Sequence, residues 1–363
     1  RIMNVALIDM GSNSIRLAVY KVEQKDFEPI FSKRYMTGLA SYVKEKQLTA
    51  AGVEQACIVL LDAKSLLEQL SVDQTTVFAT ASLRNIKNTE AVVATIQQKT
   101  GYTVQILSGH EEAFLDYFGV MHGAPMEEGA LVDIGGGSTE ITTFAADGPA
   151  FMESMPVGAL RLHTEMVEKF LPKEAEAAQI QERVLREWKK IKADKLPHYD
   201  LLCAVGGTAR AVLQLIQTQQ APLPDANSFT AEQFQKLKKQ LLKRDEAAKK
   251  LILQVCPERV HTILPGILIL DVIIRQLHTH LIYVSPYGVR EGYLLRQPAP
   301  GDRRKCRLVC TEKAGPVVQQ GRELQETFFR RLARGLEPED LAAFRRCLEG
   351  FRRNLSQMTQ EDA

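Results

Sequence analysis

The sequence predicts an α/β fold laid down in two related halves. Short apolar runs that read as strands alternate with helical stretches over most of the 363 residues. A strand, an Asp-x-Gly turn and a second strand occur twice, at a constant offset: residues 6–17 align without gaps on 130–141. A linker by composition, Arg296-Gln297-Pro298-Ala299-Pro300-Gly301, then sets off a tail. The expected division is a first domain over residues 1–124, a second over 125–297, and a linker with a helical tail over 298–363.

The elements follow in order. Val5-Ala6-Leu7-Ile8 is a buried strand ending at Asp9, and Gly11-Ser12-Asn13-Ser14 a turn, with a second strand from Ile15 to Val22. Thr49 N-caps a helix running to Leu70. Thr75–Thr80 is a strand, Glu90–Thr100 a helix stopped by Gly101, Thr103–Leu107 a strand and Glu111–Met121 a helix. After the second hairpin come helices near Gly158–Phe170 and Glu174–Lys195, then a strand over Leu201–Val205. It leads through Gly206-Gly207-Thr208 into a helix ending at Gln217. Helices over Thr230–Lys239, Glu246–Val255 and Ile263–Leu277, a strand over Leu281–Val284 and a helix over Arg290–Leu295 complete the core.

Composition narrows the classes. A net charge of +2 gives no global pull toward nucleic acid or membrane. The most apolar stretch, Ile263–Ile274, contains Pro265 and Asp271 and is too short to span a bilayer. Asp9 and Arg16 interrupt the N-terminal apolar run, so no secretory leader is expected. The 6 cysteines are scattered without a CxxC pair, which suits reduced thiols in the cytoplasm.

The chemistry concentrates at turns. Glycines in the two Asp-x-Gly turns let backbone N–H groups approach a phosphate, and Ser12, Asn13 and Ser138 add donors. An aspartate at a strand end, Asp9 or Asp133, can orient water or hold a divalent cation. Either turn alone is as readily a ligand-free β-turn, but two facing turns would grip one polyanion from both sides. Gly206-Gly207-Thr208 would aim a helix N-terminus at the cleft, or be a tight connection. Glu111 and Glu112 lie on the first turn of a helix, where capping and water activation both call for a carboxylate. Arg84 suits bidentate phosphate binding or an ordinary surface place.

Taken together, these segments resemble the exopolyphosphatase/guanosine pentaphosphate phosphatase (Ppx/GppA) family. The resemblance rests on Ile8-Asp9-Met10-Gly11-Ser12-Asn13-Ser14, Ala79-Thr80-Ala81-Ser82-Leu83-Arg84, Ser108-Gly109-His110-Glu111-Glu112-Ala113, Asp133-Ile134-Gly135-Gly136-Gly137-Ser138-Thr139-Glu140 and Val205-Gly206-Gly207-Thr208, in that order. Gly288-Val289-Arg290-Glu291-Gly292 resembles the family's closing motif, although Ser285-Pro286-Tyr287 stands where many members carry Asp-Gly. The resemblance covers residues 1–297 and implies two ribonuclease-H-like domains of the actin-like ATPase superfamily. It implies Glu112 as catalytic base and phosphate contacts from Asp9, Gly11, Ser12, Asn13, Arg84, Gly135, Gly136, Gly137, Ser138, Gly206, Gly207 and Thr208. It implies Mg²⁺ or Mn²⁺ held by Asp133, Glu140 and Asp9, with a monovalent cation as a further candidate.

The expected activity is release of terminal phosphate from inorganic polyphosphate. Guanosine pentaphosphate hydrolysis is the close alternative, and a non-catalytic phosphate or nucleotide sensor the alternative of another class. A sugar or acetate kinase on the same fold is disfavoured by the Ser-Gly-x-Glu-Glu segment. The lysines at 189–195 and 236–243 suit either guidance of a long polyanion or the solvated faces of helices. Asp302-Arg303-Arg304, Leu308–Lys313 and two amphipathic helices, Val317–Arg334 and Pro338–Leu355, resemble the C-terminal part of multiple-antibiotic-resistance (MarR-type) winged-helix regulators. The recognition helix of that group is absent, so nucleic acid is not an expected partner. The apolar faces of the tail predict self-association, as a homodimer, or packing on the core.

Overall fold

The computed structural model describes residues 2–296 apart from 24, 25, 125, 220 and 221, together with residue 343. Residues 1–299 form one compact unit. The tail expected over 298–363, with its regulator-like helices, therefore lies outside the described residues.

Two sheets organise this unit. β1 (Ile2–Met10), β2 (Ile15–Glu23) and β3 (Asp26–Tyr35) form an antiparallel meander. A small ribbon of β4 (Val43–Lys44) and β5 (Gln47–Leu48) follows, and then α1 (Ala50–Gln69), whose N-cap Thr49 accepts from Gly52 N–H as expected. β6 (Gln74–Ala79) joins β1 in parallel, and β7 (Val104–Ile106) joins β6, giving the order β3-β2-β1-β6-β7. Between β6 and β7 lie α2 (Ala81–Arg84) and α3 (Thr89–Thr100), the latter ended by Gly101 at φ 80°.

The second sheet repeats this topology. β8 (Gly129–Ile134), β9 (Thr139–Ala145) and β10 (Gly148–Met155) form a meander, followed by α5 (Ala159–Met166) and α6 (Glu174–Lys190). β11 (Leu201–Val205) pairs in parallel with β8. Beyond it come α7 (Gly206–Thr218), β12 (Ser228–Thr230), α8 (Ala231–Leu241), α9 (Glu246–Val255), α10 (Ile263–Leu277) and β13 (Leu281–Val284). β13 pairs in parallel with β11, and the order is β10-β9-β8-β11-β13-β12. The repeat read from the sequence is thus a repeat of pairing: Asp9 faces Arg16 across β1/β2, and Asp133 faces Glu140 across β8/β9.

α10 is buried almost all round, in keeping with its apolar sequence. Its Asp271 is satisfied by Gln181, Gln235, Lys238 and Arg275. Among the described residues no helix is long and apolar enough to cross a membrane.

Two helices cross over between the sheets. α4 (Gly109–Gly123) belongs to the first half of the sequence but packs on β9 and β10. α11 (Val289–Arg296), the last described helix, brings Val289 and Leu294 back to Val5, Leu7 and Phe78 of the first sheet. α4 and α11 also pack on each other, with Gly119 and Gly292 giving the close approach. This exchange carries Glu112 and Arg290 to the seam where the two sheets meet.

Candidate active site

β1 and β8 both end at the cleft, and the carboxyl ends of such strands are where open α/β sheets take ligands. Each strand closes with the same turn. Gly11 N–H donates to Ser14 O at 3.0 Å, and Gly135 N–H donates to Ser138 O at 3.0 Å. The turns meet: a Cβ on Gly137 would fall 2.8 Å from Ser12 Oγ. Ser82 Oγ donates to Met10 O and ties α2 to the end of β1.

The resulting pocket brings together Asp9, Gly11, Ser12, Asn13, Glu112, Asp133, Gly135, Gly136, Gly137, Ser138, Gly206, Gly207 and Thr208. Gly206-Gly207-Thr208 is the first turn of α7 rather than a loop before it, and no side chain caps that turn. Its N–H groups and the positive end of the helix thus face the pocket, an arrangement suited to an anion. Gly206 has φ +90°, and a Cβ there would come 2.4 Å from Asp133 Oδ1. Only glycine lets α7 start this close to the carboxylate.

Arg84 and Glu140 do not line the pocket. Arg84 stands behind its wall as a clamp. Its Nη1 donates to Leu107 O at 3.0 Å and to Glu112 Oε2 at 2.8 Å, and its Nη2 donates to Ser138 Oγ at 3.2 Å. Glu140 Oε1 accepts from Ser154 Oγ at 2.7 Å and lies 3.5 Å from Arg84 Nη2.

The two glutamates of the Ser108-Gly109-His110-Glu111-Glu112 segment divide the two roles open to them. Glu111 completes a capping box with Ser108: Ser108 N–H donates to Glu111 Oε2, and Glu111 N–H to Ser108 Oγ. Glu112 has no capping partner, is 7% exposed and faces the pocket.

The carboxylates form a buried, mutually repelling set. Burial first, then Glu140, pushes Glu112 well above the usual carboxylate range, against the pull of Arg84. Burial raises Asp9 to about 6, opposed by Arg290. Burial raises Asp133 to about 6, opposed first by Arg210. Burial and then Asp133 raise Glu140 to about 7. Asp116, one helical turn beyond Glu112, is fully buried against the Asp133 carboxyl; burial, then Asp133, pushes its own carboxyl well up.

Sequence reasoning left out most of the positive charge. Arg16, Arg34, Arg210, Arg259 and Arg290 all line the pocket. Burial, then Arg290 and Arg259, lowers Arg210 to about 10, the mark of cations crowded together without enough anions. Arg290 falls inside the closing motif, Arg16 inside the repeated segment 6–17, and Arg210 follows Thr208 by two residues, so all three carried a local signal. Arg34 on β3 and Arg259 before α10 carried none, because only the tertiary fold brings them to the cleft. The lysine runs take the solvated role where they are paired: Lys190 binds Glu187 and Lys236 binds Glu232, while Lys238 binds the buried Asp271. Among the described residues no lysine lines the pocket.

The donor set bears on a metal. Among the described residues no three His, Cys, Asp or Glu side chains converge as a protein cage, and Glu140 is engaged by Ser154 and Arg84. Asp9 and Asp133 do face the pocket, and Mg²⁺ is commonly held by one or two carboxylates completed by water and substrate phosphate. The residues present fit such a shared ion rather than a closed site.

Two lobes of one repeated sheet topology around an arginine-rich, glycine-lined anion pocket define a phosphate-handling protein of the actin-like ATPase fold. Solved structures agree. The Aquifex aeolicus PPX-GPPA enzyme is 28% identical with a TM-score of 0.67, over 82% of this chain and 100% of that one. An exopolyphosphatase from Cytophaga hutchinsonii, 21% identical, has a TM-score of 0.71 over 80% of this chain and 96% of that one, and shows the fold. Exopolyphosphatase 1 of Mycobacterium tuberculosis is 24% identical over 310 residues, 81% of this chain and 88% of that protein. The chain belongs to the Ppx/GppA phosphatase family, whose model matches residues 18–298, from within β2 to just past α11. That membership makes it a hydrolase of phosphoanhydride bonds.

Proposed function

We propose that this protein removes the terminal phosphate from inorganic polyphosphate, with Glu112 as general base. The observation that carries this reading is the placement of Glu112: a buried, pocket-facing carboxylate on a helix start, clamped by Arg84 and lining one pocket with both glycine turns. A base is most effective with a proton affinity near working pH, and burial moves Glu112 in that direction.

The turn N–H groups and the α7 N-terminus hold the terminal phosphate, and Arg210 and Arg290 offset its charge. Glu112 accepts a proton from a water as the water oxygen attacks the terminal phosphorus in line. The bridging P–O bond breaks, its electron pair leaves with the shortened chain, and orthophosphate is released. Mg²⁺ or Mn²⁺, when bound by Asp9 and Asp133, supplies neutralisation of phosphate charge; a monovalent cation is a further candidate. The buried free thiols of Cys57, Cys203 and Cys256 suit a cytoplasmic setting.

Guanosine pentaphosphate would use the same terminal phosphate site, and the family description covers both activities. The test is phosphate release from long-chain polyphosphate and from guanosine pentaphosphate under identical conditions. A higher kcat/KM for polyphosphate supports the proposal. A higher value for the nucleotide makes this a guanosine pentaphosphate phosphatase. Tight binding of either without release makes it a sensor. We also propose a homodimer held by the tail; a gel-filtration mass unchanged on truncation after Gln297 refutes it.

A further inference from the structure

The first turn of α11 brings two opposite charges to the pocket from neighbouring positions. Arg290 and Glu291 both line it. Both act on the Asp9 carboxyl, Arg290 lowering its affinity for a proton and Glu291 raising it. A carboxylate in a phosphate pocket works against binding in two ways. It repels the ligand, and it can pair with a guanidinium that the ligand needs.

Glu291 is engaged elsewhere. Its Oε2 accepts from Gly288 N–H at 2.9 Å, as a glutamate at the start of a helix does when it reaches back to cap it. Its Oε1 accepts from the Tyr20 hydroxyl at 2.6 Å. Both side chains are buried, Glu291 at 5% exposure and Tyr20 at 3%. Capping accounts for one oxygen only. The partner of the other lies on β2, 271 positions away in the chain. Among the described residues Arg290 makes no side-chain hydrogen bond or salt bridge, so its donors are open to a ligand. The Tyr20 ring is fixed apart from its hydroxyl: it packs edge to face on Phe27, centroids 5.7 Å apart, in the apolar cluster that holds Val289 and Leu294 of α11.

We propose that Tyr20 is a positioning residue: its hydroxyl holds the Glu291 carboxylate away from Arg290 and so keeps that guanidinium available to substrate phosphate. This rests on the phosphate pocket of the hydrolase reading above. A phenol O–H is a neutral donor, so it satisfies the carboxylate without bringing another cation into the pocket. Without it Oε1 is buried and unpaired, and pairing with Arg290 satisfies it at the expense of the ligand.

The experiment compares the wild type with Tyr20→Phe, Glu291→Gln and the double variant. It reads calorimetric binding of tripolyphosphate and steady-state phosphate release from long-chain polyphosphate. Phenylalanine keeps the ring packing and removes only the donor. Tyr20→Phe is expected to weaken tripolyphosphate binding roughly three- to tenfold, the scale of one hydrogen bond to a charged group. The polyphosphate KM rises by a similar factor, and kcat changes by less than about twofold. Glutamine carries no charge to neutralise Arg290. Glu291→Gln therefore binds tripolyphosphate at least as tightly as the wild type, and in that background Tyr20→Phe loses at least half of its effect. A packing role for Tyr20 would weaken binding equally in both backgrounds, and that result overturns the proposal. So do binding unchanged by Tyr20→Phe, binding weakened by Glu291→Gln, and a wild type that does not bind tripolyphosphate. If the wild type binds but releases no phosphate, the hydrolase reading fails, and the four affinities decide the role of Tyr20 separately.

Discussion

Acidification from pH 8 to pH 5 should stabilise the ligand-free protein, opposite to the usual behaviour of carboxylate-rich chains. Asp9 and Asp133 rise from 3.8 to about 6 on folding, and Glu140 from 4.5 to about 7, all chiefly through burial. A carboxyl with a raised native pKa binds its proton more tightly folded than unfolded. Its contribution is therefore fully favourable below the unfolded value and is lost as pH rises through the native one. The window runs from about pH 4.5 to about pH 7. A tenfold change in proton affinity is worth about 1.4 kcal/mol, but the groups repel one another and titrate together, so a simple sum overstates the effect. His163 opposes it, since burial lowers its pKa and charging it on acidification costs stability. We expect a net gain on the order of 2–4 kcal/mol. Urea denaturation at the two pH values, with m unchanged, measures it directly. Asp133→Asn should flatten the profile. A midpoint that falls on acidification, or a gain untouched by Asp133→Asn, refutes the reasoning.

Other perturbations separate scaffold from chemistry. Gly206→Ala places a methyl at φ +90° against Asp133 Oδ1; it should cost roughly 1–3 kcal/mol of stability and lower kcat, read by denaturation and steady-state kinetics. Arg84→Met strips Glu112 and Glu140 of their shared cation, so the acid limb of the kcat–pH profile should move upward; an unmoved limb denies the clamp. Asp271→Ala leaves the half-buried Lys238 without its buried carboxylate partner. It should cost about 3–5 kcal/mol while KM stays near wild type in the folded fraction.

Much of the site was legible because its anion-binding parts are local. A strand end, a glycine turn and a helix start lie within a dozen residues, and the ungapped repeat marks them twice. The capping and catalytic readings of Glu111 and Glu112 could not be separated by position, since both lie on the first turn of α4. Their separation depends on burial, which comes from α4 packing on the second sheet. β3 and β10 went unread because neither is a buried apolar run: Asp26–Tyr35 is largely exposed and carries charges and Pro29, and Gly148–Met155 is mostly half-buried. Asp116 gave no signal, being one more carboxylate on a helix until the fold sets it against Asp133. Arg34 and Arg259 are more than 220 residues apart in sequence, and only closure of two lobes makes them neighbours of one carboxylate.

The most direct test of the central claim is phosphate release by Glu112→Gln under saturating long-chain polyphosphate, set beside the wild type. Glutamine keeps the shape and can still face Arg84, but it accepts no proton from water. The account predicts a kcat lower by about 10²–10⁴-fold with KM close to wild type. A kcat within tenfold of wild type would contradict it and move the base to another carboxylate of the cluster.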